Sequence, residues 1–137
     1  MNDKCDIRLD LLLFSACGVH FGIDAAQVAG IANYDGEQSD DLFWFHDELG
    51  FGAGNSVYFS PTVVTIRTDD IRPYRVIIDT MEDIAEFSQN DISLFPALLE
   101  PFTIRRGVWG ILPRNGRMVL LVDFIRLLKE KCLIRGE

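Results

Sequence analysis

The sequence predicts an all-β protein that ends in a single helix. Most apolar residues fall in short runs separated by Gly, Pro or Asn, which is typical of strands joined by turns. Only the last apolar stretch has the spacing of a helix. With 137 residues, 48% hydrophobic content and ten Phe, the chain is long and apolar enough to fold as one domain, 1–137, around its own core.

The first strands are predicted before residue 32. Leu9–Cys17 and Val19–Ile23 are apolar and flank Gly18, a pattern that indicates an antiparallel hairpin. Val28–Ile31 follows a short segment of mixed polarity and predicts a third strand.

The middle of the chain alternates between polar and aromatic segments. Residues 33–41 are polar and acidic, which predicts an exposed loop with solvated carboxylates that could meet a basic partner. Leu42–His46 is aromatic and predicts a buried strand. The glycines at 50, 52 and 54 indicate a connection, because the Lys-Ser/Thr pair of a phosphate-binding loop does not follow them.

The second half of the chain also consists of short apolar runs separated by polar or turn residues. Four strands are predicted, at Val57–Arg67, Tyr74–Ile78, Ile104–Leu112 and Met118–Val122. The last two flank Pro113–Gly116, which contains Asn-Gly, a strong hairpin signal. Asp123 is suited to cap the terminal helix, whose residues Phe124, Leu127 and Leu128 share one face.

Two aspartates follow similar apolar strands. Asp24 ends Phe-Gly-Ile-Asp and Asp79 ends Val-Ile-Ile-Asp, and apolar strands follow each. This repetition indicates two related β-units, approximately 8–56 and 57–128. The two aspartates could form a carboxylate dyad, but Asp at such a place more often accepts backbone hydrogen bonds. We therefore predict that both are structural caps.

The candidate nucleophiles and metal ligands are few. His20 and His46 are the two histidines, and Cys17 is one of three separated cysteines. A histidine with Asp24 or Asp47 could give an acid–base or metal site, and Cys17 with a histidine could give a nucleophile and base. No His-x-His or His-Glu-x-x-His spacing is present. We predict no catalytic residue, no metal and no cofactor.

The charge balance limits the classes of partner. The chain has 21 acidic and 13 basic side chains, and the net charge of −8 argues against nucleic acid and anionic membrane surfaces as partners. No apolar stretch approaches the roughly 18 residues of a transmembrane helix, and the first residues lack a signal-peptide pattern. We expect a cytoplasmic protein without membrane insertion.

Several motifs occur in an order that a known family shares. Phe21–Asp24 and Val28–Ile31 come first, followed by Val76–Asp79, Gly107–Gly110 and Gly116–Asp123. This series resembles the CheW-like family, the coupling domain of bacterial chemotaxis arrays. The resemblance implies two intertwined five-stranded SH3-like barrels without enzymatic activity. It also implies a CheA-type histidine kinase and a methyl-accepting chemoreceptor as partners.

The resemblance also suggests contact residues. Val28 and Ile31 are candidates for the receptor side, although both could equally be core residues of a strand. For the kinase, we expect an exposed strand edge around Val76 and Ile78 and the turn from Gly107 to Gly110.

The first half departs from the family pattern. The Gly-Val-x-x-Leu-Arg-Gly stretch that family members usually carry before the first Asp-Leu is absent, so the first barrel is predicted to be shortened. Phe43, Trp44 and Phe45 lie beside this gap, and strand alternation places Trp44 opposite the two phenylalanines. We predict that Trp44 is partly exposed and contacts a second protein, possibly another copy of the chain.

The leading hypothesis is therefore a non-catalytic adaptor that couples the kinase to the receptors. The first alternative is a divergent CheW-like scaffold or regulatory protein outside the kinase–receptor array. The second is a small thiol- or metal-dependent enzyme that uses Cys17 with a histidine.

Overall fold

A computed structural model describes residues 7–16, 18–49, 58–67, 74–94 and 107–127, which are dominated by strands. The strands are β1 (Arg8–Ala16), β2 (Val19–Asp24), β3 (Val28–Asn33), β4 (Leu42–Trp44), β5 (Thr62–Ile66), β6 (Tyr74–Ser88), β7 (Val108–Arg114) and β8 (Arg117–Val122). The helical parts are α1 (Phe45–Leu49), a helical turn at 124–127, and 3₁₀ turns at Ala25–Gln27 and Gln89–Asp91. The all-β prediction with a helix after Asp123 is confirmed.

The long strand β6 joins two groups of strands. The hydrogen-bonded order is β3-β5-β6-β1-β2-β8-β7, with β4 also paired to β6. Residues 74–78 of β6 pair with β5 and β4, and residues 79–88 pair with β1. We call β3, β4, β5 and 74–78 the small group, and 79–88 with β1, β2, β8 and β7 the large group. Both groups take strands from the two predicted halves, and the division at 56/57 remains a prediction.

Two irregularities mark the middle of β6. Phe14 pairs with Met81 and Ser15 with Asp79, so Thr80 has no partner on β1 and adopts a φ of 34°. Leu13 pairs with Asp83, so Glu82 is also an extra residue. Such bulges bend a strand and redirect the side chain of the extra residue. They explain how one strand serves both groups.

Both predicted hairpins are confirmed. β1 pairs with β2 in antiparallel register around Gly18, whose φ is 79°. β7 and β8 are joined by Asn115 and Gly116, with φ of 52° and 75°, as a two-residue turn with both residues left-handed requires. β2 and β8 pair in parallel, which brings the two hairpins side by side.

The predicted strand Leu42–His46 is wrong in its last two residues. The strand ends at Trp44 and Phe45 begins α1. Phe45 is buried against Phe14 and Phe21, with ring centroids 5.0 Å and 4.7 Å away. The His46 N–H donates to the Tyr58 hydroxyl at 3.1 Å rather than to a neighbouring strand. Tertiary contacts therefore end the strand where the aromatic sequence would continue it.

The predicted strand Val57–Arg67 begins later than expected, and the glycines at 50, 52 and 54 and residue 57 lie outside the described residues. Thr62 opens β5 and Pro61, which has no N–H to give to a ladder, precedes it. The Ser60 N–H donates to the Asp79 carboxylate at 2.6 Å. The Ser60 and Pro61 carbonyls also accept the N–H groups of Thr80 and Tyr34, each at 3.2 Å, so the segment before β5 is held without belonging to a strand.

The strand β1 is buried on both faces. Leu12 and Phe14 belong to one hydrophobic cluster, which we call the main core. Leu11 and Leu13 point the opposite way into a second cluster with Leu112, Val119 and Leu121. The sequence of a strand that is covered on both faces is a continuous apolar run, and residues 11–14 of β1 form such a run.

The terminal helical turn is anchored to the main core. Phe124 lies 5.6 Å from Phe45 between ring centroids, and Asp123 accepts the Arg126 N–H at 3.1 Å, which confirms the predicted cap. The Gln27 side chain donates to the Asp123 carboxylate and accepts from the Phe124 N–H, at 3.0 Å and 3.1 Å. A residue from the first half therefore completes the cap.

Truncation of β1 is expected to destabilise the protein from either face. Leu12→Ala and Leu13→Ala each leave a cavity in a different cluster, and each should lower the free energy of unfolding by about 2–5 kcal/mol. Met118→Ala, at an exposed residue of β8, is the control and should change it by about 0.5 kcal/mol or less. Urea denaturation measures all three; a normal stability for either leucine variant would contradict the two-faced burial.

Candidate functional site

The strand β3 is an open edge of the small group. Among the described residues it pairs with β5 and with no strand on its other side. Ile31 is 41% exposed, whereas Val28 is half-buried and packs against the main core. The structure thus separates the two receptor-side candidates: Ile31 faces solvent at the edge and Val28 has a packing role.

Gly30 lies between these two residues and has open space around it. A Cβ built at Gly30 would have no contact nearer than 3.9 Å, to Thr65. Internal packing therefore does not require a glycine here. The absence of a side chain leaves the backbone of the edge accessible on that face.

Trp44 lies opposite Phe43 and Phe45, as alternation predicts. Phe43 and Phe45 are buried in the main core, and Trp44 is half-buried on the other face. Its ring contacts Tyr34 and Tyr58 edge-on, with centroids 5.4 Å and 5.1 Å away. The predicted partial exposure is confirmed, while its contact with a second protein remains a prediction. We call Tyr34, Trp44 and Tyr58 the aromatic cluster.

The acidic loop is fixed to β6 through Arg75. The guanidinium donates two hydrogen bonds to Glu37, at 2.9 Å and 2.7 Å, and one to Asp41 at 3.0 Å. These hydrogen bonds from Arg75 lower the pKa of both carboxyls and raise that of the arginine. The loop is exposed as predicted, but the carboxylates of Glu37 and Asp41 are paired with Arg75 of β6 and not merely solvated.

The loop backbone is held at its start as well. The Tyr34 N–H donates to the Pro61 carbonyl at 3.2 Å, and its hydroxyl donates to the Glu37 carbonyl at 2.9 Å. Asp35 accepts the Glu37 N–H at 3.0 Å. The loop therefore reaches the same face as the aromatic cluster, to which Tyr34 itself contributes a ring.

The expected exposed edge at Val76 and Ile78 is wrong. Both side chains are 0% exposed, and this part of β6 pairs with β5 on one side and β4 on the other. Neither residue can contact a partner directly. The exposed part of β6 begins three residues later, where Met81 and Ile84 are 40% and 51% exposed.

Gly107 and Gly110 are buried and have packing roles. Gly107 has a φ of 82°, and its carbonyl accepts the Asp123 N–H at 2.6 Å. A Cβ at Gly110 would lie 3.0 Å from Ile92. Their predicted part in a partner contact remains untested, but each glycine already has a structural reason.

The candidate chemical groups have structural partners. The Asp24 carboxylate accepts the Ala26 N–H at 2.9 Å, and that of Asp79 accepts the Ser60 and Thr80 N–H groups, as the cap prediction requires. His46 lies 3.1 Å from the Tyr58 hydroxyl. Cys17 lies outside the described residues. Within the described parts of the chain, no three His, Cys, Asp or Glu side chains gather as a metal site.

Sequence reasoning missed two surface features. The aromatic cluster joins residues from the loop, β4 and the segment before β5, and no short-range pattern links them. The exposed edge at Met81 and Ile84 is displaced by the bulges, which break the alternation that would have indicated it.

Acid is expected to release the loop from Arg75. Because the pKa values of Glu37 and Asp41 are lowered in the folded protein, their pairing with Arg75 is present at neutral pH and is lost as pH falls through those lowered values. In a Trp109→Phe background, Trp44 emission should change in this range before far-UV ellipticity does. The matched Arg75→Met variant should lack this early change; its persistence there would contradict the assignment.

Comparisons with known proteins give one kind of match. No family model and no curated protein matches the chain. Among solved structures, the scaffolding protein TtCheW from Thermoanaerobacter tengcongensis aligns with a TM-score of 0.66 at 12% identity, covering 93% of this chain and 92% of that one. No helix among the described residues is long and apolar enough to cross a membrane. The strand order, the near-complete overlap and the ordered motifs lead to one identification: the chain has a CheW-like fold.

Proposed function

We propose that this protein is a non-catalytic adaptor of chemotaxis-type signal transduction, which links a CheA-type histidine kinase to methyl-accepting chemoreceptors. The observation that carries the proposal is a CheW-like fold over almost the whole chain, shared with a protein described as a scaffold. An adaptor of this kind works by burying surface against two partners at once, in the cytoplasm.

The edge strand β3 supports such a contact. An unpaired edge offers backbone donors and acceptors to a strand of another domain, and an exposed apolar side chain adds burial. Ile31 provides that side chain, and Gly30 leaves one face open to a close approach. The receptor side is assigned to this edge, with Val28 acting through its packing beneath it.

The kinase contact is assigned near β6 and the Gly107–Gly110 segment. Because Val76 and Ile78 are buried, the contact is moved to the exposed stretch that contains Met81 and Ile84. Glu82, Asp83 and Glu86 are also exposed there, so a basic surface would be complementary.

The bonding of the candidate chemical groups favours an adaptor over an enzyme. Asp24 and Asp79 use their carboxylates to hold backbone N–H groups, which fixes local structure. The thiol-enzyme alternative depends on Cys17. Measuring metal content and thiol reactivity of the purified protein separates the two: a stoichiometric metal or a fast-reacting thiol would favour the enzyme.

The second candidate function is a divergent scaffold outside the array. The acidic loop, which Arg75 holds by hydrogen bonds, favours this second candidate. The loop covers a face where the resemblance implies additional barrel residues. A pull-down with the kinase and the receptor of the same cell discriminates the two: capture of neither partner favours the divergent scaffold.

Charge at Ile31 is expected to weaken partner binding without unfolding the protein. Ile31→Glu places a carboxylate at the centre of the proposed receptor contact, and affinity should fall by about tenfold or more. Co-sedimentation with receptor-containing membranes, with and without kinase, measures it.

The matched control for this experiment is Ile125→Glu. Ile125 is 39% exposed, close to the value for Ile31, and lies on the terminal helical turn. Equal losses in both variants would mean that added charge, and not the β3 edge, explains the effect, and would count against the assignment.

Trp44→Ala tests whether the aromatic cluster meets a second protein. Because Trp44 is half-buried against Tyr34 and Tyr58, some stability should be lost, but association should weaken by more, by about tenfold or more. Analytical ultracentrifugation measures self-association, and the pull-down measures binding to other proteins.

The control is Trp109→Ala, which removes the other half-buried tryptophan. Unfolding of Trp44→Ala with no association to lose would show a packing role alone.

A further inference from the structure

A polar cleft of about 270 Å³ lies on the large group, away from the β3 edge in the strand order. Its floor is apolar and belongs to the second cluster, through Leu13 and Val119. Its polar walls come from β2, β6 and the β7–β8 turn. Of the residues that line the cleft, only Glu82 also belongs to the surface proposed for the kinase contact.

His20 stands at the centre of the polar wall and has two charged neighbours. Its Nδ1 lies 3.3 Å from both Glu82 carboxylate oxygens, and its Nε2 lies 3.2 Å from Nη1 of Arg117. A guanidinium can only donate, so Nε2 accepts and the proton is on Nδ1, directed at Glu82. The three side chains form a chain from carboxylate to imidazole to guanidinium.

Glu82 reaches this position because of a β-bulge. It is the extra residue between the Leu13–Asp83 and Phe14–Met81 pairs. A bulge redirects the side chain of its extra residue, and bulges are frequent beside functional sites. The bulge thus places the Glu82 carboxylate beside Nδ1 of His20.

Arg117 has no carboxylate partner among the described residues, whereas two other arginines are paired with acids. Arg75 contacts Glu37 and Asp41, and Arg114 lies 3.6 Å from Asp83. No Asp or Glu oxygen of the described chain lies within 4 Å of Arg117, whose recorded partner is a neutral imidazole nitrogen. Arg67 and Arg126 have no acidic partner in the described residues either, so what sets Arg117 apart is its position on the wall of the cleft.

We propose that this cleft binds a carboxylate group, with Arg117 as its main contact. Arg114 and Asn115 line the same cleft, and an arginine fork matches the two oxygens of a carboxylate. The Glu82 carboxylate accepts the Nδ1–H of His20 and keeps its charge, so the two arginines of the cleft must outweigh its repulsion of a second carboxylate. The cleft can receive a free dicarboxylate or an acidic side chain of a partner protein, and both present the same chemistry.

The test is a side-chain NMR titration of the full chain. Two probes represent the two sources: succinate, and a blocked Gly-Glu-Gly tripeptide with Gly-Gln-Gly as its uncharged match. Saturable shifts of the Arg117 Nε–Hε and His20 ring signals with either acidic probe, but not with Gly-Gln-Gly, are expected. A response to succinate alone identifies a free dicarboxylate, and a response to the tripeptide identifies a protein side chain.

Variants separate a specific site from general attraction between charges. Arg117→Gln should lower the affinity about tenfold, the loss expected for one charge-assisted contact, and near-UV circular dichroism should show that this exposed residue is dispensable for folding. Arg126→Gln removes the same charge from the terminal helical turn and should leave the affinity unchanged. Equal losses in both variants, or no shift with either acidic probe, would overturn the proposal.

Discussion

Burial of β1 on both faces is the constraint on which the rest of the structure depends. Leu12 and Phe14 fill the main core while Leu11 and Leu13 fill the second cluster, so one strand is a wall of both. Its two edges are paired as well, with β2 on one side and β6 on the other. The N-terminal hairpin is therefore in direct contact with strands from later in the chain, through β6 and through β8.

The same constraint explains the shape of β6. To pair with β1 and also with β5 and β4, one strand must change direction, and the bulges at Thr80 and Glu82 allow this. The change buries Val76 and Ile78 and exposes Met81 and Ile84. The pairing of β6 with three other strands thus determines which part of it is available to a partner. The bulge that this pairing includes also directs Glu82 toward His20.

The small group is closed by side chains from distant parts of the chain. Arg75 gathers Glu37 and Asp41, and Tyr34 and Tyr58 pack on Trp44. A short acidic loop and a few aromatic rings therefore cover one face of the small group. Because such exposed ion pairs contribute little to stability, the loop is better suited to adjust to a partner than to hold the fold.

The all-β class, both hairpins, the Asp123 cap and the opposite directions of Phe43 and Trp44 could be predicted from the sequence, because they follow from local periodicity and turn chemistry. The ordered motifs also led to the CheW-like fold. Tertiary structure alone decided which apolar strands are edges, since Ile31 and Val76 look alike in sequence but differ in their number of neighbouring strands. It also decided that Phe45 begins a helix, that Arg75 holds the loop and that Arg117 faces a cleft. Each of these depends on contacts between residues far apart in the chain, and no local pattern records such contacts.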